Sequence, residues 1–170
     1  AITWAWTTNY WLVPAVSGSG SVGVSASWQE VDSNISITAV PSNGYHFVDW
    51  TGDITSTNNP LNVTMTRPYM VTANFAINEY TIAATAGANG QISPSGTVVV
   101  THGSSQAFTI TPDANHHVAD VIVDSVSQGA TNSYTFVDVT NNGHTISAGF
   151  AIDTFTLAVK FMPQMLAQMG

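Results

Sequence analysis

The feature that most constrains this chain is a junction between two strands that occurs twice. Residues 74–82 (NFAINEYTI) recur as residues 149–157 (GFAIDTFTL), 75 positions later (150 − 75). The first copy is followed by a β-rich stretch of about seventy residues, as expected of an internal repeat. The second copy is followed by only a short segment that ends at Gly170. The sequence therefore predicts two modules and then an opening strand, residues 154–161, without a module of its own.

Composition limits the classes of function. The chain has no cysteine, which excludes disulfides, CxxC redox sites and thiolate metal sites. Arg67 and Lys160 are its only basic residues against ten acidic ones, and the net charge is −8. This balance argues against a nucleic-acid partner and against binding to anionic membranes. No apolar run is long enough for a membrane helix. We expect an extracellular protein.

Motifs for catalysis and for cofactors are missing. The sequence contains no Gly-x-Ser-x-Gly elbow, no phosphate-binding Gly-Lys loop and no His-Glu-x-x-His pair. The five histidines include adjacent His116 and His117, which would point to opposite faces of a strand. Several aspartates offer oxygen ligands, but no calcium-loop motif holds them. We expect no enzyme activity, no metal site and no cofactor.

Alternating apolar residues and regularly spaced turns predict an all-β fold, with at most short helices at residues 115–123 or in the tail. Residues 1–16 alternate as a Trp-rich strand that partly belongs to the first module. The predicted modules are residues 10–77 and 78–151, both mostly antiparallel. Residues 152–170 hold the opening strand and a Met-rich tail.

Several spaced motifs carry a resemblance to a known family. Residues 44–53 (GYHFVDWTGD) and 71–76 (VTANFA) resemble the divergent internalin-type B-repeat of bacterial surface proteins. The second half is similar to a variant form through residues 117–124 (HVADVIVD), 134–136 (YTF) and 144–151 (HTISAGFA). The resemblance covers most of residues 10–151.

The resemblance implies small β-grasp-like or sandwich-like modules that serve as extracellular spacers, stalks or adhesive units. It implies no catalytic residues. The chain departs from the family pattern because it holds two modules with Trp-rich and Met-rich ends. Six aromatic residues on the repeat strands are predicted to form the module cores: Phe47, Trp50, Phe75, Phe108, Phe136 and Phe150.

The aromatic residues near the N-terminus lie outside the strongest repeat matches. Trp4, Trp6 and Trp11 are suited either to stacking on sugars or to anchoring a protein interface. Their place on an alternating terminal strand favours the interface. Asn34 and Asn62 fit the N-glycosylation pattern, so glycans enter as ligand or as modification.

The opening strand decides the functional prediction. Phe155, Leu157, Val159 and Phe161 share one of its faces, and each would contribute about 1.5–3 kcal/mol if fully buried. Adding such a strand to a neighbouring subunit joins copies head to tail, and a contact that does not close on itself grows a filament. We therefore predict the structural subunit of an extracellular bacterial fibre, a homopolymer joined through residues 153–161 or 2–12.

Three alternatives stay open. The strand could fold back on its own second module. The chain could be a spacer or adhesin fragment of a longer surface repeat protein. It could also act alone as a glycan-binding module through Trp4, Trp6 and Trp11.

Overall fold

A computed structural model describes residues 3 and 5–157, and this part of the chain forms strands and turns without a helix. No segment in it qualifies as a membrane-spanning helix. The first half holds eight strands: β1 (Asn9–Ser17), β2 (Gly20–Val22), β3 (Ser27–Glu30), β4 (Asn34–Ile37), β5 (Ala39–Pro41), β6 (Tyr45–Gly52), β7 (Leu61–Thr64) and β8 (Tyr69–Ile77). The second half holds eight more: β9 (Glu79–Ala86), β10 (Gly90–Ser93), β11 (Gly96–Thr101), β12 (Gln106–Pro112), β13 (His116–Val123), β14 (Val126–Ser127), β15 (Ser133–Phe136) and β16 (His144–Ile152).

The main sheet of each half has the same strand order. It is β3-β1-β8-β6 in the first half and β11-β9-β16-β13 in the second, where β14 extends the edge. The first strand of each module runs parallel to its last strand, β1 beside β8 and β9 beside β16, while the other pairs are antiparallel. The fold is therefore all-β and built from two tandem modules of one design.

A second, smaller layer covers one face of each main sheet. It consists of the pairs β2-β5 and β4-β7 in the first module and of the sheet β10-β12-β15 in the second. The inward residues of both layers alternate with exposed ones and form a separate apolar core in each module. Leu12 of β1 and Ile82 of β9 are fully buried at the centres of these cores.

The strand that is continuous as β12 in the second module is broken in the first. The break falls at Thr38, between β4 and β5. Beyond it, the Asn59 side chain takes the place of a partner strand: Ala39 N donates to Asn59 Oδ1 at 2.9 Å, and Asn59 Nδ2 donates to Ala39 O at 2.7 Å. Both backbone groups of a buried residue are thereby satisfied.

Two expectations about secondary structure need correction. The strand expected across residues 1–16 begins only at Asn9, and the described residues before it (3 and 5–8) carry no strand. β3 ends at Glu30, and beyond it a single backbone hydrogen bond, from Val31 N to Thr8 O, continues the pairing. Residues 116–123, considered for a short helix, form β13, which pairs with β16 along its whole length. The alternation of Val118, Val121 and Val123 into the core, adjusted by a bulge, explains the strand.

Candidate subunit interface

The two modules are joined at a single residue that contacts both. Asn78 lies between β8 and β9. Its backbone N donates to Gly44 O of the first module at 2.8 Å, and its carbonyl accepts from His102 N of the second at 2.8 Å. Its side-chain Oδ1 lies 2.9 Å from His46 Nδ1. We call this set of contacts the module joint.

Ring packing completes the module joint. His102 Nδ1 lies 3.1 Å from the hydroxyl of Tyr80, and the His102 ring rests directly on Gly44. A Cβ at position 44 would collide with that ring, and Gly44 also has a φ of 77°, which favours glycine. The residue types of the joint are therefore set by close packing between the modules.

The end of β16 reproduces half of this arrangement. Asp153 N donates to Asn115 O at 2.8 Å, as Asn78 N does to Gly44 O. Asp153 Oδ1 lies 3.0 Å from His117 Nδ1, as Asn78 Oδ1 does from His46. Among the described residues, no backbone donor reaches the Asp153 carbonyl. We call this site the half-joint, because it lacks a counterpart of His102.

The segment after the half-joint exposes large apolar side chains. Phe155 is 86% exposed and Leu157 is 87% exposed. Residues 154–157 are not in a strand, because a strand needs a partner for its backbone groups and these residues have none within the described chain. Val159 and Phe161, the other two residues of the predicted face, lie outside the described residues.

The aromatic residues at the start of the chain separate into different environments. Trp6 is 94% exposed, and Trp11 on β1 is 37% exposed. Trp11 packs edge-on against Trp28 of β3, with ring centroids 5.1 Å apart. Trp4 lies outside the described residues. Trp28 is a further aromatic residue of this surface that the sequence pattern does not reveal, because Ser27–Glu30 has no alternation of apolar and polar residues.

The aromatic residues assigned to the cores occupy both cores. Trp50, Phe75, Phe108 and Phe136 are buried, while Phe47 and Phe150 are partly buried and pack against their cores. Phe75 and Phe150 have matching roles, because their rings lie on Gly20 and Gly90 at the starts of β2 and β10. A side chain at either glycine would displace the ring.

The two glycosylation candidates lie on one strand pair. Asn34 of β4 stands opposite Thr64 of β7, and its Oδ1 accepts a hydrogen bond from the Thr64 hydroxyl at 2.6 Å. Asn62 stands opposite Ser36, and its side chain is exposed. Both residues therefore project from the surface of the smaller layer of the first module.

Asp53 and Asp124 each brace a turn. Asp53 accepts hydrogen bonds from Met70 N at 2.7 Å and from Arg67 at 3.0 Å, and these contacts lower its pKa. Burial raises the pKa of Asp124, but hydrogen bonds from Thr145 N and His144 outweigh it and lower the pKa overall. Within the described residues, no three acidic or histidine side chains converge as a metal site, and no pocket opens. The terminal segment offers apolar contact through the exposed side chains of Phe155 and Leu157.

The comparisons with known proteins identify a family for both modules. The family model of the divergent InlB B-repeat domain matches residues 12–79 and again residues 80–154. These two segments meet within the module joint. No curated protein and no solved structure matches the chain significantly.

Proposed function

The chain belongs to the divergent InlB B-repeat family, and from this premise we propose that it is the structural subunit of an extracellular fibre. Membership of this family identifies the chain as a surface repeat protein. The proposal adds that copies assemble head to tail, when the terminal segment of one copy joins a sheet of the next. Its partner is then another copy of itself, with no role for catalysis, a cofactor, nucleic acid or membrane insertion.

The observation that carries the proposal is the exposed apolar face of the terminal segment. Phe155 and Leu157 occupy the sequence positions of Tyr80 and Ile82, which pack in the second core. Ile82 is fully buried, whereas Leu157 is almost fully exposed. The sequence thus supplies a core-facing strand whose core is not in the described chain.

The energetics favour covering this segment. Burying two large apolar side chains is worth about 3–6 kcal/mol, at about 1.5–3 kcal/mol each, wherever they displace no equivalent residues. Backbone pairing along a sheet adds affinity, and the alternate side chains add selectivity. An exposed apolar strand is otherwise a site of aggregation. An ordered contact between copies would bury the apolar side chains and also prevent unspecific aggregation.

The proposal is tested by removing or altering the terminal segment. Deleting residues 153–170 should give monomers, seen by light scattering and electron microscopy. The double substitution Phe155→Asp and Leu157→Asp should do the same while leaving the circular dichroism of the modules unchanged. The matched control, Thr154→Asp with Thr156→Asp, adds the same charge on the opposite face and should weaken assembly less. Fibres that persist after the deletion would overturn the proposal.

A second candidate function rests on the Trp11–Trp28 pair. Both side chains lie on the outer face of the main sheet, and Trp28 is 66% exposed. Their exposed ring faces are suited to stacking on a sugar. The adhesin alternative expects Trp28→Ala to abolish retention on a glycan array while assembly continues. Unchanged glycan retention would exclude it.

A further inference from the structure

We infer that the acceptor in the fibre is the β1 position of the first module: residues 154–157 of one copy replace residues 9–12 of a second copy. This inference rests on the proposed function and specifies the partner surface. The half-joint then docks against the start of that module, as Asn78 docks against the start of the second module. Three observations lead to this assignment.

The first observation is that the two modules begin with the same corner. His102 N donates to Asn78 O at 2.8 Å, and at the equivalent place in the first module Val31 N donates to Thr8 O at 3.0 Å. Thr8 therefore occupies the position of Asn78, and Asp153 is its third counterpart along the chain. With Asp153 in the place of Thr8, the otherwise free carbonyl of Asp153 accepts from Val31 N.

The register follows from this equivalence. Counting from the joint, Phe155 falls at Tyr10 and Leu157 falls at Leu12. Leu12 is fully buried in the first core, so Leu157 would enter an established apolar site of its own size. The exchange displaces residues 9–12 of the second copy, so Tyr10 and Leu12 leave the core as Phe155 and Leu157 enter it. Apolar burial therefore changes little, and exchanging one strand for a similar one costs little.

The second observation is that the half-joint differs from the module joint in a way that suits the first module. The internal joint pairs Gly44 with the large ring of His102, which leaves no room for a Cβ at position 44. The half-joint has Asn115 in place of Gly44, and the corner of the first module has Val31 in place of His102. The larger side chain of Asn115 would thus meet the smaller side chain of Val31, whereas Gly44 meets the larger ring of His102. The half-joint therefore discriminates against the second module of another copy.

The third observation concerns the residues that follow. In both modules the first strand leads into a glycine at the start of the next strand, Gly20 or Gly90, which carries the ring of Phe75 or Phe150. Residues 158–169 (AVKFMPQMLAQM) contain no glycine with which to form such a turn. The segment after the half-joint thus has the sequence of a first strand and then departs from the module pattern, with Met165 at the position of Gly90.

Engineered cysteines test the register directly, because the chain has none of its own. Trp11 stands opposite Trp28 on β3, so Thr156, which takes the place of Trp11, should stand opposite Trp28 of the second copy. The double variant Trp28→Cys with Thr156→Cys, assembled and mildly oxidised, should give a ladder of disulfide-linked multimers in non-reducing gels. A second pair, Glu30→Cys with Thr154→Cys, tests the same register two pairs away, on the same face of the sheet.

The control uses the equivalent position in the second module. Val99 stands opposite Thr81, which belongs to the same chain and is not exchanged. Val99→Cys with Thr156→Cys should therefore stay monomeric in the gel. Fibres without a ladder from either test pair, or an equal ladder from the control, would overturn the β1 assignment but leave the fibre intact. An unassembled wild-type protein would overturn the fibre and this assignment together.

Discussion

Gly44 illustrates how one residue fixes the arrangement of the modules. It has a positive φ, and its missing side chain makes room for the ring of His102. The turn itself was predictable, because Pro41-Ser42-Asn43-Gly44 is typical turn chemistry. The second reason for glycine was not, since it depends on a contact 58 residues away (102 − 44) that local sequence does not encode.

Gly44→Ala should therefore be costlier than an alanine at an ordinary turn glycine. A positive φ costs an alanine about 1–2 kcal/mol, and forcing the His102 ring aside adds about 1–3 kcal/mol. The free energy of unfolding in urea measures the sum. Gly96→Ala is the matched control, because Gly96 has a φ of 81° and open space around its Cβ position. Equal losses at the two sites would contradict the packing of the module joint.

The hydrogen bonds of Asp124 should make the stability of the fold depend on pH. Because its pKa is lower in the folded protein than in the unfolded chain, its contribution to stability is complete above the unfolded pKa of about 3.9. The contribution is lost as the pH falls through the folded pKa. Wild-type protein should lose stability below about pH 4 more steeply than Asp124→Asn, as measured by thermal unfolding at successive pH values.

A suitable control for the pH series is Asp113→Asn. The Asp113 side chain is exposed and accepts no hydrogen bond within the described residues. Its variant should follow the wild-type pH curve. An Asp124→Asn curve that also follows wild type would show that the contacts to Thr145 and His144 do not stabilise the fold.

The first strand of each module joins the edge strand of the main sheet to the last strand of the module. β1 and β9 each lie between an antiparallel neighbour and the parallel last strand. Alternation in the sequence predicted that these segments are strands with one buried face. It could not predict their parallel partners, since pairing of strands far apart depends on the whole core. For the same reason the pairing of Trp11 with Trp28 was missed.

The central place of β9 predicts a large effect of its buried residue. Ile82→Ala should lower the free energy of unfolding by about 2–5 kcal/mol, because Ile82 is fully buried among residues of both layers. Thr81→Ala, the neighbouring residue on the exposed face, should cost less than about 1 kcal/mol. Denaturant titration followed by circular dichroism separates them. Equal losses of unfolding free energy for Ile82→Ala and Thr81→Ala would show that the buried face of β9 does not stabilise the module.

For the whole molecule, the duplication was visible in the sequence and the joints were not. The offsets of the recurring motifs predicted two tandem modules and an opening strand at residues 154–161. The equivalence of Asn78 and Asp153 became apparent only from their hydrogen bonds to Gly44 and Asn115. Asn and Asp are aligned in the repeat, but a single aligned pair in a polar linker carries no structural information by itself.

The half-joint resembles the internal module joint closely enough to serve as a contact between copies. The internal module joint shows that this fold continues from one module to the next through a single residue and a following strand. The half-joint offers the same residue position, followed by a segment of similar sequence that is exposed. A fibre built by repeating this contact would be a non-covalent continuation of the tandem array.

Negative-stain electron microscopy of the purified full-length protein, without cross-linker, tests this account most directly. Head-to-tail assembly should give regular filaments of uniform width that lengthen as the protein concentration rises. Monodisperse particles of single-chain size, in samples incubated at high protein concentration before imaging, would contradict head-to-tail assembly.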